Sequence, residues 1–215
     1  MRRSFLSISL LFVFTLAFSQ YTLIKPELYV GTNQGINLWP HVSFTPAVTQ
    51  NFDIRYRGGF TMRYINLKYF GFQAELNYSQ QGWSETSDTG ELYNRRFDYL
   101  ELPVLAHIYF GKKNTKFFVN LGPEVRYMVY DFADGIFSLL PGVQQTKEIE
   151  NRFDYGIVGG LGVEYRNKKA GVFQLEARYH FGLGNVFNST KKDYFSTSNN
   201  QAISVSLVYL FNVLK

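Results

Sequence analysis

The chain contains no cysteine. A disulfide framework, a thiolate nucleophile and a cysteine-ligated metal are therefore excluded. Beyond its first twenty residues it has no apolar run long enough for a membrane-crossing helix, which needs about 20 consecutive apolar residues. Charge of one sign is also scarce: 22 Lys and Arg against 17 Asp and Glu leave a formal net charge of +5. Two of those charges, Arg2 and Arg3, lie in a segment expected to be removed. No basic run exceeds two residues, so the composition does not describe a nucleic-acid binder. Histidine is limited to His41, His107 and His180.

What is abundant is aromatic. Phe, Trp and Tyr make up 18% of the 215 residues, and glycine contributes 18 more positions. That balance favours β structure with many turns. Met1-Arg2-Arg3 forms a basic leader, and Phe5 to Phe18 an apolar stretch. Ala17 and Ser19 are small residues near an expected cut. This is the pattern of a signal peptide over residues 1–20.

The mature chain is dominated by a period of two. Phe173, Leu175, Ala177, Tyr179, Phe181 and Leu183 alternate with Gln174, Glu176, Arg178 and His180. A helix would scatter both sets, whereas a strand puts them on opposite faces. The pattern recurs over Phe70–Gln81, Leu100–Phe110, Phe117–Val129, Phe153–Tyr165 and Ala202–Phe211, and more weakly around Leu28–Gly31 and Phe60–Tyr64. Eight strands result. The links after the even-numbered strands are short: Ile65–Lys68, Gly111–Thr115 and Arg166–Gly171. Those after odd-numbered strands are long: Gly35–Tyr56, Trp83–Arg95, Asp131–Asn151 and Asn185–Asn200. Such alternation marks an outer-membrane barrel with short periplasmic turns and long external loops. A mean hydropathy of −0.15 is compatible, because only alternate residues face lipid. We expect an all-β, eight-stranded antiparallel up-and-down transmembrane barrel over residues 21–215, with both termini in the periplasm.

A soluble lipocalin-like barrel would point its apolar face inward. Here some fifteen Phe and Tyr rings share one face, and an eight-stranded interior is only just wide enough for ordinary side chains. The rings must therefore face lipid, and the charges the lumen. The lumen ion-pair candidates are Glu75, Glu101, Glu124, Glu176, Arg63, Arg126 and Arg178. Buried charges must pair. Matching faces in the hairpin around Gly111–Thr115 leaves two registers: one sets Phe110 opposite Phe117 and Glu101 opposite Arg126, the other Glu101 opposite Glu124. Avoiding the like-charge pair favours the first, which predicts an ion pair between Glu101 and Arg126.

Sites of chemistry are few. His107 and His180 are expected roughly 15 Å apart along the axis, too far to share a metal. No Ser/His/acid cluster is expected at one level of one face. Gly159-Gly160-Leu161-Gly162 opens no helix and so fails the test for a nucleotide loop; lumen crowding accounts for it better. No cofactor, metal or nucleic-acid partner is expected. Apolar residues on external loops, Trp39 and Phe44 on the first and Phe137 and Leu140 on the third, are candidates for contact with a protein partner.

Several stretches resemble the PorT family of outer-membrane β-barrel proteins: GFQAELNYSQQGW (Gly71–Trp83), FDYLELP (Phe97–Pro103), NLGPEV (Asn120–Val125), DYGIVGGLGVEY (Asp154–Tyr165), ARYHFGLGNVF (Ala177–Phe187) and VSLVYLF (Val205–Phe211). The resemblance implies a non-enzymatic barrel embedded in outer-membrane lipid. The family's founding member is an accessory of type IX protein secretion. A small-solute porin and a lipid-modifying enzyme are the alternative expectations.

Overall fold

The computed structural model describes residues 23–45, 47, 49–86, 92–135, 148–149, 151–187 and 196–214. The expected signal peptide and the contact candidates Phe137 and Leu140 lie outside the described residues. Eight strands follow one another: β1 (Leu23–Thr45), β2 (Ile54–Leu67), β3 (Phe70–Thr86), β4 (Leu92–Phe110), β5 (Thr115–Asp134), β6 (Phe153–Asn167), β7 (Gly171–Asn185) and β8 (Thr197–Asn212). Each pairs antiparallel with its sequence neighbours, and β1 returns to β8, so the sheet closes into a barrel without edges. The expected architecture is observed. So is the register of the β4–β5 hairpin, with Phe110 opposite Phe117 and Glu101 opposite Arg126.

Closure separates the two faces of every strand. Leu102, Val104, Val119, Leu121, Ile157, Leu161, Leu175, Ile203 and Leu207 are exposed and form an aliphatic belt. Rings border it on both sides. At the end of the short turns stand Tyr64, Phe110, Phe117, Tyr165, Phe173 and Tyr209; at the other end stand Tyr56, Tyr127, Tyr155, Tyr179 and Phe181. Facing rings meet across the ladder, Phe110 with Phe117 at 6.0 Å and Phe173 with Tyr209 at 5.0 Å. An aliphatic band between two aromatic girdles matches the bilayer core and its interfaces.

The strands run further than alternation suggested. A first loop from Gly35 and a second from Trp83 were expected, yet β1 continues to Thr45 and β3 to Thr86. The cause is a set of one-residue interruptions. In β1, Leu38 faces Ile203 but His41 faces Gln201, so one extra residue enters. Trp39 takes it up with a φ of 49°. Such a bulge resets the phase of a strand: Asn33 and Asn37 point inward before it, Val42 and Phe44 after it. A similar slip lies in β5: Asp98 faces Tyr130 but Tyr99 faces Met128, so the extra residue enters β5 near Val129. At Gly82 in β3, φ is +119° and a Cβ would lie 2.0 Å from the Arg95 carbonyl oxygen, so only glycine fits. Strict alternation breaks at the slips in β1 and β5 and reads them as strand ends, whereas β3 keeps its register through Gly82.

The outward belt yields a direct expectation. Leu121 lies between Phe117 and Tyr127 and is 56% exposed. Leu121→Arg should lower the folding free energy in phospholipid vesicles by about 2–4 kcal/mol, and the same change at the turn residue Asn114 by no more than about 1 kcal/mol. Urea titration of the reconstituted barrel checks it; equal losses at both positions would contradict the assignment of the belt.

Candidate functional site

The lumen is built in three tiers, and each follows from which inward positions the sequence makes polar. At the short-turn end Tyr29, Ile65, Tyr109, Phe118, Val172, Val208 and Leu210 form an apolar plug. At the opposite end Val42, Phe44, Trp83, Tyr93, Phe97, Tyr99, Met128, Ile149, Val186 and Phe187 form a second one. Between them lies a charged middle. Gly160 makes room for it, and Gly162 for the plug at the short-turn end: a Cβ at Gly160 would lie 2.7 Å from Arg178 Cγ, and one at Gly162 2.6 Å from the Phe118 ring. These are the glycines of the Gly159–Gly162 run, and they relieve crowding in the lumen.

The middle tier is organised by four buried guanidiniums. Arg63 donates to Glu164 at 2.9 Å, to Gln73 and to Gln174. Arg178 donates through both terminal nitrogens to Glu75, at 2.7 and 2.5 Å, and reaches Glu176. Arg57 donates to Glu101 at 3.0 Å. Arg126 donates to Asp154 at 2.7 Å and to Gln81 at 3.1 Å, and lies 3.5 Å from Glu124. Amides complete the shell: Gln81 donates to Glu101, Asn77 to Glu75, Asn33 to Asn77, and Asn120 to Glu176. A fixed five-donor fork suits such sites, because every lone pair facing it must be met by a proton.

All seven lumen candidates named from the sequence are buried here. One pairing differs from expectation. Glu101 and Arg126 are register neighbours, but Glu101 is held by Arg57, and Arg126 by Asp154. In a ring this narrow the guanidinium of Arg57, on β2, spans past β3 to reach β4. Adjacency on the ladder is then a poorer guide than distance across the lumen. Arg57 was missed because it falls where the sequence pattern suggested the end of a loop.

The loop contact candidates divide as well. Trp39 sits on the β1 bulge, 46% exposed, with its ring stacked on His41 at 4.9 Å. Phe44, expected on an external loop, is in β1 and points inward at 5% exposure against Trp83 and Phe187. The bulge beneath it reverses its face, so Phe44 belongs to the plug and offers no outer surface.

A second departure concerns chemistry. His107 and His180 are separate, as expected: His107 contacts Asn120 at 2.8 Å beside the lower plug, while His180 lies in the charged middle. But His180 stands in a chain that was not expected. Its Nδ1 lies 3.2 Å from a Glu124 oxygen, and its Nε2 3.0 Å from Ser204 Oγ. Serine, imidazole and carboxylate in that order are the parts of an activated nucleophile. They come from β8, β7 and β5, so no reading of single strands places them together. All three are buried. Ser204 is fully buried, and Arg57 Nη1 lies 3.2 Å from its Oγ and 3.3 Å from His180 Nε2. Arg57 thus already engages both the serine and the imidazole. Glu101, Glu124 and His180 also hold ligand atoms within 4.8 Å of one another. The positive charge that such a trio would ask of a metal is supplied by Arg57 and Arg126.

Two measurements follow. Arg57→Ala should destabilise the barrel by about 3–5 kcal/mol, since Glu101 loses its partner in a site shut off from water. Adding Glu101→Ala should return part of that loss, and this coupling should exceed that of the Glu101→Ala/Arg126→Ala cycle. Thermal unfolding in detergent of the six proteins decides it. Separately, a fluorophosphonate should leave Ser204 unmodified in the folded barrel, as read by peptide mass spectrometry; rapid labelling there would make the serine a nucleophile.

Comparison with known proteins places this geometry. Residues 18–188 match the model of the outer membrane protein beta-barrel domain. No curated protein matches the sequence. Among solved structures, the outer membrane protein OprG from Pseudomonas aeruginosa aligns with a TM-score of 0.53 at 11% identity, over 86% of this chain and 96% of that one. Neisserial surface protein A aligns at 0.48 and 10% identity, over 87% and 100%. At 11% identity the OprG alignment speaks for the fold alone.

Proposed function

This chain belongs to the family of outer membrane proteins with a β-barrel domain, and from that premise we propose that it is a closed accessory barrel that acts through contacts and not through transport or catalysis. The observation that carries this is the filled lumen: two apolar plugs enclose a middle whose charges are committed to one another. A porin lumen is a water-filled passage. The resemblance to PorT directs the accessory role towards type IX protein secretion. Residues 1–20 act as the export signal. The short turns and both termini lie in the periplasm, and the extended strand ends face outside.

Contact then falls to the outer strand ends. Trp39, Phe52, Ile54 and Leu92 are exposed there on β1, β2, β4 and the β1–β2 link. Exposed apolar side chains beyond the bilayer belt suit a protein partner. The Glu124–His180–Ser204 chain favours the lipid-modifying alternative, and its burial beside Arg57 weighs against it.

The test is affinity purification from native outer membranes in a mild detergent. A stoichiometric partner, reduced in amount by Trp39→Ala, is the expected result; a barrel recovered alone, at unchanged yield, opposes the proposal. In a planar bilayer the purified protein should show no stable open level. Large, reproducible conductance steps would make it a pore.

A further inference from the structure

The turns at the short-loop end share a feature that barrel closure does not need. The β2–β3 turn carries Lys68, the β4–β5 turn Lys112 and Lys113 with Lys116 just beyond, and the β6–β7 turn Lys168 and Lys169 after Arg166. No acidic residue lies in any of these turns. The opposite end is mixed, with Asp53, Asp98, Asp131 and Asp134 among Arg55, Arg95 and Arg96. Basic charge is thus concentrated on one rim.

That rim contains a pocket of about 570 Å³. Its lining combines basic residues, Lys113, Arg166, Lys168 and Lys169, with apolar ones, Tyr209, Phe211 and Leu214. Tyr209 and Phe211 also belong to the outward face, 42% and 47% exposed. The pocket therefore lies where the lipid belt meets the turns. Arg166 is held as its floor. Its guanidinium stacks 4.3 Å over the Tyr109 ring, and its Nε donates to Glu164 at 2.5 Å. Its Nη1 comes within 4.0 Å of Glu27, whose carboxylate lines the same pocket and accepts from Tyr29 Oη at 2.9 Å. Its Nη2 has no hydrogen-bond partner among the described residues. One carboxylate against four cations leaves the pocket positive.

We propose that this pocket binds the phosphodiester headgroup of an anionic phospholipid, with an acyl chain descending over Tyr209 and Phe211. The mixed lining is the argument: a free anion would need only its basic residues. Lysines gather around phosphate as mobile point charges, while the aromatic lip suits the glycerol and first methylenes of a chain at the interface. The source is the periplasmic leaflet, which rests on the orientation given under Proposed function; the binding itself does not depend on it.

The full chain, folded in zwitterionic detergent, is mixed with phosphatidylglycerol, with phosphatidylethanolamine or with inorganic phosphate, and retained ligand is counted by native mass spectrometry. One phosphatidylglycerol should be retained, and phosphatidylethanolamine held more weakly. The triple variant Lys113→Gln/Lys168→Gln/Lys169→Gln should bind about tenfold or more weakly, given what each lysine contributes near anionic lipid. The Lys→Arg triple should bind as the parent does. Circular dichroism and heat-shifted gel mobility verify that each variant folds. Equal retention by the Gln triple overturns the site. Retention of inorganic phosphate with the same lysine dependence overturns the lipid as its ligand. Protease access to the turns in intact cells tests the orientation separately, so the two readings can fail independently.

Discussion

Guanidinium and carboxylate, held together away from water, are the interaction on which the rest of this molecule depends. Eight strands enclose an interior too narrow for bulk solvent and too polar to collapse as oil. Arg57, Arg63, Arg126 and Arg178 resolve that conflict by taking Glu101, Glu164, Asp154 and Glu75 as partners. Because the charges are satisfied within, the outer surface can be wholly apolar across the belt. Because they are satisfied by one another, little capacity remains for a permeant ion, a metal or a reacting group. The same pairs that permit the barrel to sit in lipid tie up most of the lumen's charge.

The two plugs extend this logic to the ends. Trp83, Phe97 and Phe187 on one side, and Ile65, Phe118 and Leu210 on the other, are interior residues in the ordinary sense of a soluble core. They keep water from the middle tier, where a lower effective dielectric strengthens each ion pair and raises the penalty for an unpaired one. Apolar ends and polar centre are mutually dependent.

Much of this was legible in the residues. Period-two patterning gives the strand count and, along the middle of the barrel, the inward face, because the charges fall on one side and the lipid-facing rings on the other; the rings of the two plugs at its ends were not foreseen. Hairpin geometry gives the β4–β5 register. What escaped has two physical sources. The bulge at Trp39 and the extra residue that enters β5 opposite Asp98 and Tyr99 each shift a strand's phase by one, which pattern matching reads as an ending; Phe44 was misplaced for that reason, and Arg57 because it stands at the end of an expected loop. Closure then juxtaposes residues by position around a ring. Arg57 finds Glu101 two strands away, and Ser204, His180 and Glu124 meet from three strands, relations that no linear spacing encodes.

The span of the ion pairs has a consequence for how the chain reaches its membrane state. Arg63 and Glu164 are 101 residues apart, and Arg178 and Glu75 are 103 apart. Each joins strands from opposite halves of the sequence. A half-built sheet entering the bilayer would carry bare guanidiniums into hydrocarbon, with their counter-charges still on strands yet to arrive. Insertion strand by strand is thereby penalised at every stage but the last. The favoured course is one in which the strands gather while water still reaches the lumen face and cross together as the ring seals, so that assembly is concerted and a stalled intermediate is driven back to the aqueous side.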